Sequence, residues 1–202
     1  MTPTTDPDAE STLAQLYDFA ATAFADPPTE AWVRTLHDGA LPDPAVAPDD
    51  RLAAGLEALR TWADGVEDPA EEADRLATEY TRLFVGPRPQ LQIHESWYAG
   101  DFLGEPLAAV SRDYDALGIE PAADLKEEAD HAAVELAALR ELSNRAASDP
   151  DAKVRFLAAH GDWFDALAAD VRETADGPFY PAVADVAAGL VAVDMDRLEV
   201  DR

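Results

Sequence analysis

The amino-acid sequence predicts an all-α protein, a compact single-domain bundle of about eight or nine helices. Apolar residues recur at intervals of three and four in most segments, which is the period of a helix that packs one face on a core. Capping residues and Gly or Pro stops separate these segments. No segment alternates apolar and polar residues as a strand does, and no repeat period is visible. A chain of 202 residues is long enough to bury a sizeable core as one domain.

The amino-terminal half is predicted to contain four helices joined by proline-rich turns. Residues 1–10 are predicted to form a disordered acidic tail, and the helical domain is predicted to span residues 11–198, with Ser11 as the first N-cap. Asp49 or Asp50 and Asp68 are predicted caps of the third and fourth helices. The apolar stripes of the four helices contain Leu13, Leu16, Tyr17, Ala20 and Phe24; Trp32, Val33 and Leu36; Leu52, Leu56, Leu59 and Ala63; and Leu76, Ala77, Tyr80, Leu83 and Phe84.

The carboxy-terminal half is predicted to contain the remaining helices. Gly118 is predicted to stop the first of them, and Asp124 with Glu127 three residues later resembles a capping box that opens the next. Asp149 and Pro150 are predicted to begin the next helix, a kink is predicted at His160 and Gly161, and the last helix is predicted to begin near Phe179. The stripes contain Leu103, Leu107, Val110, Tyr114 and Leu117; Leu125, Ala129, Ala132, Leu136 and Leu139; and Val154, Leu157, Trp163, Phe164 and Leu167.

The composition excludes several classes of protein. The formal net charge of −27 repels nucleic-acid phosphates, so nucleic acid is not an expected partner. The chain contains no cysteine, which excludes disulfides, zinc–thiolate sites and Cys nucleophiles. Lys126 and Lys153 are the only lysines, and this acidic, lysine-poor composition is typical of proteins from salt-accumulating halophiles. The charge is therefore interpreted mainly as an adaptation to the environment.

The expected location is the cytoplasm. The amino terminus, MTPTTDPDAEST, has neither the basic region nor the apolar region of an export signal. The longest apolar run, residues 186–193, is far shorter than the roughly 20 residues that span a bilayer, so no membrane insertion is expected.

The stretch from Glu79 to Tyr98 is the first candidate site. Gly86 and Pro87 end a helix, and a proline-stiffened connector leads to a cluster that contains Glu95, Ser96, Trp97 and Tyr98. A restrained loop that carries acidic, hydroxyl and aromatic side chains suits ligand recognition. The alternative is that Trp97 and Tyr98 only close the end of the bundle.

A second candidate site contains Asp130 and His131. On a helix that begins at Asp124, both side chains point away from the local apolar stripe, toward solvent or a groove. His131 and Glu135 lie four residues apart, which suits either a helix-face pair or a metal site in a small metal-dependent hydrolase. No HExxH motif, GxSxG elbow or glycine-rich phosphate loop supports catalysis. The residues alone indicate a helical binding module.

Two motifs resemble those of the TorD/DmsD/NarJ-type redox-enzyme maturation chaperones. The first is similar to the family pattern Y..LF.GP...ES.Y, and the second to its E-P-D-H...E-L motif, with Ala129 in place of the proline. A weaker similarity continues into the last helices. The residues that carry the resemblance are Tyr80, Leu83, Phe84, Gly86, Pro87, Glu95, Ser96 and Tyr98; Glu128, Ala129, Asp130, His131, Glu135 and Leu136; and Phe156, His160, Trp163, Phe179 and Tyr180.

This resemblance implies a cytoplasmic chaperone without catalytic activity or a cofactor of its own. Its partner would be the catalytic subunit of a molybdopterin oxidoreductase of the dimethyl sulfoxide reductase class, bound through its twin-arginine leader peptide or another segment until the cofactor is inserted. Whether the chain forms a homodimer stays open. The peptide-binding residues implied are Tyr80, Phe84, Glu95, Ser96, Trp97, Tyr98, Asp130, His131 and Glu135.

The acidic composition predicts that folding requires roughly molar salt. Like charges repel in dilute buffer, whereas the Debye length falls to about 3 Å at 1 M salt. Circular dichroism across a salt series measures this requirement. Full, cooperatively melting helicity at about 50 mM salt would show that the acidity is not an adaptation to salt.

Overall fold

The computed structural model describes residues 7–120, 126–146 and 148–200, and in these ranges the chain forms ten α-helices and no strand. The all-α prediction is confirmed. The described residues form ten helices rather than the predicted eight or nine, because the short helix α5 is among them. Helices α2 and α4 each continue into a wider π-helical turn, over Leu36–Ala40 and Thr81–Val85. The helices are α1 Pro7–Ala25, α2 Glu30–Thr35, α3 Asp50–Asp64, α4 Pro69–Tyr80, α5 Glu95–Tyr98, α6 Glu105–Leu117, α7 Ala132–Arg145, α8 Pro150–His160, α9 Phe164–Thr174 and α10 Phe179–Arg197.

Helix α10 forms the centre of the bundle and packs against α1, α3, α8 and α9. Its closest neighbour is α3, because each helix has a glycine where the two backbones meet. A Cβ atom at Gly189 would lie 2.9 Å from the backbone nitrogen of Leu52, and one at Gly55 would lie 2.9 Å from Cγ2 of Val186. Any side chain at either position would push the two helices apart.

Several predicted caps are confirmed. The carboxylates of Asp49, Asp68 and Asp149 each accept hydrogen bonds from backbone N–H groups in the first turn of α3, α4 and α8. Gly118 ends α6 in the left-handed conformation, at φ 62°. The predicted kink at His160 and Gly161 is the break between α8 and α9.

Two predicted helix starts are corrected. Helix α1 begins at Pro7, so residues 7–10, assigned above to the acidic tail, are helical, and Glu10 is buried. Helix α7 begins at Ala132, with His131 as its N-cap, rather than at Asp124. The capping box at Asp124 lies outside the described residues.

A buried ionic cluster joins the first helix to the last. The ammonium of Lys153 on α8 is 3.2 Å from the Glu10 carboxylate of α1 and 2.5 Å from the Asp194 carboxylate of α10. The hydroxyl of Tyr17 donates to Asp194 at 2.7 Å, and the Arg197 guanidinium pairs with Glu10 and Asp194. Because Lys153 is 1% exposed, this cluster is shielded from water and from salt.

None of the described helices is long and apolar enough to cross a membrane.

Replacement of Lys153 by Met should lower the free energy of unfolding by about 3–5 kcal/mol, because Glu10 and Asp194 lose the fully buried one of the two cations that they share. The matched control is Arg140→Met, which breaks an exposed pair with Asp18, also between α1 and the bundle, at 2.6 Å. That control should cost about 0–1 kcal/mol. Urea unfolding in molar salt measures both changes, and equal losses would contradict a special role for the buried cluster.

Candidate functional site

Two segments that are remote in sequence pair through their backbones at one end of the bundle. The N–H of Ala132 donates to the carbonyl of Ile93, and the N–H of Glu95 donates to the carbonyl of Asp130, both at 2.9 Å. These bonds form an isolated antiparallel bridge between His94 and His131, whose rings are 5.1 Å apart. The bridge places the entrance of α5 beside the entrance of α7.

The carboxylate of Asp130 forms a hydrogen bond with the first turn of α5. Its Oδ2 atom accepts a hydrogen bond from the backbone N–H of Ser96 at 3.1 Å. The Ser96 hydroxyl oxygen in turn accepts the N–H of Leu103 at 3.0 Å, and the Ser96 carbonyl accepts the N–H of Asp101 at 3.0 Å. Asp130 and Ser96 are both fully buried. The turn that follows α5 is therefore fixed by buried polar groups, which are costly to leave unpaired.

The expectation that Asp130 and His131 face away from the core is wrong. Asp130 is 0% exposed and His131 is 3% exposed. The helical angle used for that expectation does not apply, because both residues precede α7 and lie in the bridge. His131 caps the helix, with its Nδ1 atom accepting the N–H of Ala133 at 3.2 Å. Burial lowers the pKa of His131 to about 3, and the charge of the neighbouring His94 contributes a smaller part of this decrease.

An imidazole links three helices next to this bridge. Nδ1 of His160, the last residue of α8, lies 2.9 Å from Oε2 of Glu95, and Nε2 lies 2.8 Å from Oδ2 of Asp113 on α6. Burial lowers the pKa of His160, but the hydrogen bonds and charges of Glu95 and Asp113 outweigh it, so the pKa is raised. Asp113 is not among the predicted site residues, because nothing in its local sequence separates it from the many other carboxylates of the chain.

Glu135 lies below the site and has no exposed surface. Its Oε2 atom accepts the indole N–H of Trp163 at 2.9 Å, whereas Oε1 has no partner. Burial, together with the charge of Glu95, raises the pKa of Glu135 well above its usual value. The raised pKa keeps the carboxyl neutral to a higher pH than that of an exposed Glu, and Glu135 supports the site from inside.

Three apolar side chains are exposed above these buried groups. Trp97, Phe102 and Leu103, here called the aromatic patch, are 52%, 43% and 48% exposed. The rings of Trp97 and Phe102 meet edge to face at 5.7 Å, and Phe102 also contacts the ring of His94 at 5.6 Å. Leu103 has a φ of 58°, a conformation that is unfavourable for a leucine. The fold thus holds an apolar side chain in water through a strained turn.

The patch includes two residues that the sequence analysis did not select. Leu103 was assigned to the stripe of a helix, but α6 begins at Glu105, so Leu103 belongs to the turn. Phe102 was not assigned to any stripe. An apolar pair beside Gly104 with no place on a helical face is the signal that indicates an exposed turn.

A groove of about 370 Å³ is lined in part by α5. Carboxylates, aromatic rings and small residues line it, and none of the lining side chains is Lys or Arg. The lining residues are Glu95, Tyr98, Ala99, Ala159, His160, Asp162, Trp163 and Ala166, here called the acidic groove. Tyr98 donates its hydroxyl to Asp170 at 3.2 Å, which closes one wall. A larger groove of about 970 Å³ between α3 and α4 contains none of the predicted site residues.

Tyr80 and Phe84, predicted to contact a peptide, are placed in the core. Tyr80 is 2% exposed, and its hydroxyl donates to the carbonyls of Phe24 and Ala25 at 2.9 and 3.0 Å. Phe84 is 7% exposed and packs edge to face on Phe24. These residues anchor the end of α4, from which the connector to α5 departs.

The structure does not bring His131 and Glu135 together as a metal pair. The Nδ1 atom of His131 is occupied by the backbone of α7, and the carboxyl of Glu135 is bonded to Trp163. Within residues 7–120, 126–146 and 148–200, no group of three His, Asp or Glu side chains has the geometry to hold a metal ion.

Comparison with known proteins identifies one family. Residues 49–184 match the family model described as nitrate reductase delta subunit. This range contains α3 to α9 and both motifs of the site. No curated protein matches the chain.

Replacement of Glu135 by Gln should leave the fold intact, because an amide keeps the shape of the neutral carboxyl and can still accept the Trp163 N–H. Because folding raises the pKa of Glu135, the folded state binds this proton more tightly than the unfolded chain does. The free energy of unfolding of the native chain should therefore fall as pH rises above about 4.3, the usual pKa of Glu. Gln has no proton to lose, so the free energy of unfolding of the Gln variant should fall less over the same pH range. Glu135→Ala leaves the indole N–H unpaired and should cost about 1–3 kcal/mol. Thermal melts at several pH values measure both effects, and identical pH profiles for Gln and native chains would contradict the neutral carboxyl.

Proposed function

This chain belongs to the nitrate reductase delta subunit family, a family of molybdoenzyme maturation chaperones, and from that premise we propose that it binds a segment of a client reductase at the aromatic patch and the acidic groove. The client proposed is a molybdopterin oxidoreductase of the dimethyl sulfoxide reductase class. The segment proposed is the twin-arginine leader of its catalytic subunit, held in the cytoplasm while the cofactor is inserted. The chain itself is proposed to be non-catalytic.

The observation that carries this proposal is the exposure of three large apolar side chains on α5 and on the turn after it, both held in place by buried polar groups. Trp97, Phe102 and Leu103 lie in water, although the Asp130 and Ser96 hydrogen bonds fix their backbone. A patch that is ordered before binding loses little conformational entropy on contact with a partner. Exposed aromatic side chains of this kind are typical centres of binding surfaces.

The acidic groove beside the patch supports a cationic partner. Glu95 and Asp162 line it without a neighbouring Lys or Arg, and His160 is the one basic side chain in its wall. A guanidinium fork forms its strongest hydrogen bonds with carboxylates. A segment with adjacent arginines followed by an apolar run therefore suits the two surfaces in order, the arginines in the groove and the apolar run on the patch.

The predicted site residues divide into two roles under this proposal. Trp97 and Tyr98 offer surface to the client, together with the exposed edge of Glu95. Ser96, Asp130, His131 and Glu135 are buried and act by holding that surface in place. Tyr80 and Phe84 act from further away, through the core that supports the connector.

Trp97→Ala should weaken binding of the client segment about ten- to hundredfold while changing stability little, because Trp97 is half exposed and central to the patch. The probe is a synthetic peptide with two adjacent arginines and an apolar run, titrated by calorimetry in about 2 M salt. Val85→Ala is the matched control, since Val85 is 54% exposed outside the patch and the groove. The control variant should bind as the native chain does.

Two further measurements separate the parts of the surface. A peptide with both arginines replaced by Gln should bind more weakly, because the carboxylates of the groove lose their cationic partners. The peptide-induced fluorescence change of the native chain should be absent in Trp97→Phe. Native affinity in Trp97→Ala, or an equal fluorescence change in Trp97→Phe, would place the binding site elsewhere.

A further inference from the structure

His160 lies between two hydrogen-bond acceptors. Its Nδ1 atom faces the carboxylate of Glu95 at 2.9 Å, and its Nε2 atom faces the carboxylate of Asp113 at 2.8 Å. A neutral imidazole has one N–H and one lone pair, so it can donate to only one of the two. Both contacts are hydrogen bonds only when the ring is protonated. The geometry therefore contains a group whose bonding changes with a single proton.

The two acceptors belong to the elements on either side of the aromatic patch. Glu95 begins α5, which carries Trp97, and Asp113 lies on α6, which begins two residues after Leu103. Val110 and Tyr114 are the buried side chains of α6, and the ring of Tyr114 stacks on Phe156 of α8. These contacts hold the middle and the end of α6, whereas His160 is the polar contact that joins α6 to α8 and α5 together. His160 is thus a direct link from α8 to both ends of the segment that presents the patch.

We propose that His160 is the positioning residue of the aromatic patch: its protonated ring holds α5 and α6 on α8, and loss of the proton releases α6 and weakens the client interaction. This inference rests on the proposed function of the patch and deepens it. The ring does not have to touch the client for this role.

The two bonds are not equally easy to lose. The Glu95 side chain is 13% exposed, whereas the Asp113 side chain is 45% exposed and can turn to water. When one proton leaves the ring, the remaining N–H therefore stays with Glu95, and Asp113 is released. The change at higher pH is a loosening of α6 rather than a loss of the whole site.

The charged groups around the ring set the direction of the pH effect. Glu95 faces it from α5, Asp113 from α6 and Asp162 from the turn after α8, while Glu135 of α7 lies beyond Glu95. The hydrogen bonds and charges of Glu95 and Asp113 are the interactions that favour the protonated ring. Because the pKa of His160 is raised, the link is complete below the usual value of about 6.5 and is lost as pH rises through the raised value.

The first arm of the test follows the ring and the patch together, without any ligand. NMR titration of the full chain in about 2 M salt gives the pKa of His160, assigned by its absence in His160→Gln. Acrylamide quenching of Trp97, taken as the difference between the native chain and Trp97→Phe, reports the position of the patch. The midpoint of the quenching change should coincide with the pKa of the ring.

Three variants separate positioning from general stability. His160→Gln should abolish the pH dependence of quenching. Asp113→Asn should move the midpoint of the quenching change to lower pH, because one of the two carboxylates beside His160 is neutralised. The fold should tolerate this change, since the Asp113 side chain is 45% exposed. His37→Gln removes an exposed histidine elsewhere and should leave the profile unchanged. A native profile in Asp113→Asn, or a His160 pKa at or below the usual value, would overturn the inference.

The second arm uses the peptide whose two arginines are replaced by Gln. When His160 loses its proton, the groove becomes more negative and would attract arginines more strongly, which would mask the loss of affinity expected from the patch. The affinity of the Gln peptide should fall about ten- to hundredfold across the titration of His160, the loss expected for one charged hydrogen bond. Affinity that is measurable but independent of pH would overturn the inference and leave the proposed function standing. Absence of binding by either peptide at every pH, with the quenching profile intact, would overturn the proposed function and leave the positioning role of His160 standing.

Discussion

The backbone pairing of residues 93–95 with residues 130–132 is the constraint on which the rest of the site depends. Two hydrogen bonds set where α7 begins and where α5 leaves the core. Once they form, the Asp130 carboxylate lies under the N–H of Ser96, and both groups are buried. Neither can move alone, because a buried polar group without a partner costs more than the bond itself contributes. The fixed position of the aromatic patch follows from the requirement that both buried groups stay paired.

The site has the organisation of a binding surface with a buried polar support. Below the surface, hydrogen bonds between side chains join Glu135 on α7 to Trp163 at the start of α9, and His160 at the end of α8 to Glu95 on α5. Above it, the exposed rings of Trp97 and Phe102 contact each other. A rigid supporting layer is what a preorganised recognition surface requires.

The acidic composition and the internal ionic contacts have different physical consequences. Most of the carboxylates are on the surface, where molar salt screens their repulsion within a few ångströms. Lys153, one of only two lysines, is instead buried between Glu10 and Asp194. Screening hardly reaches such a pair, so it keeps α1, α8 and α10 together under the conditions that weaken exposed ion pairs. The chain thus combines a hydrated acidic exterior with ionic contacts in its interior.

The sequence by itself determined the helical class, several helix ends and the family. Apolar period, Asp caps and Gly stops act within one or two turns, so the positions of Asp49, Asp68, Asp149 and Gly118 were readable without a structure. Only the tertiary structure decided where the site residues lie. Asp130 and His131 looked exposed on an assumed helix, yet a bridge to residues 93–95 buries them, because hydrogen bonding between segments some 35 residues apart leaves no local pattern. The links from His160 to Glu95 and Asp113 likewise arise only when three helices meet.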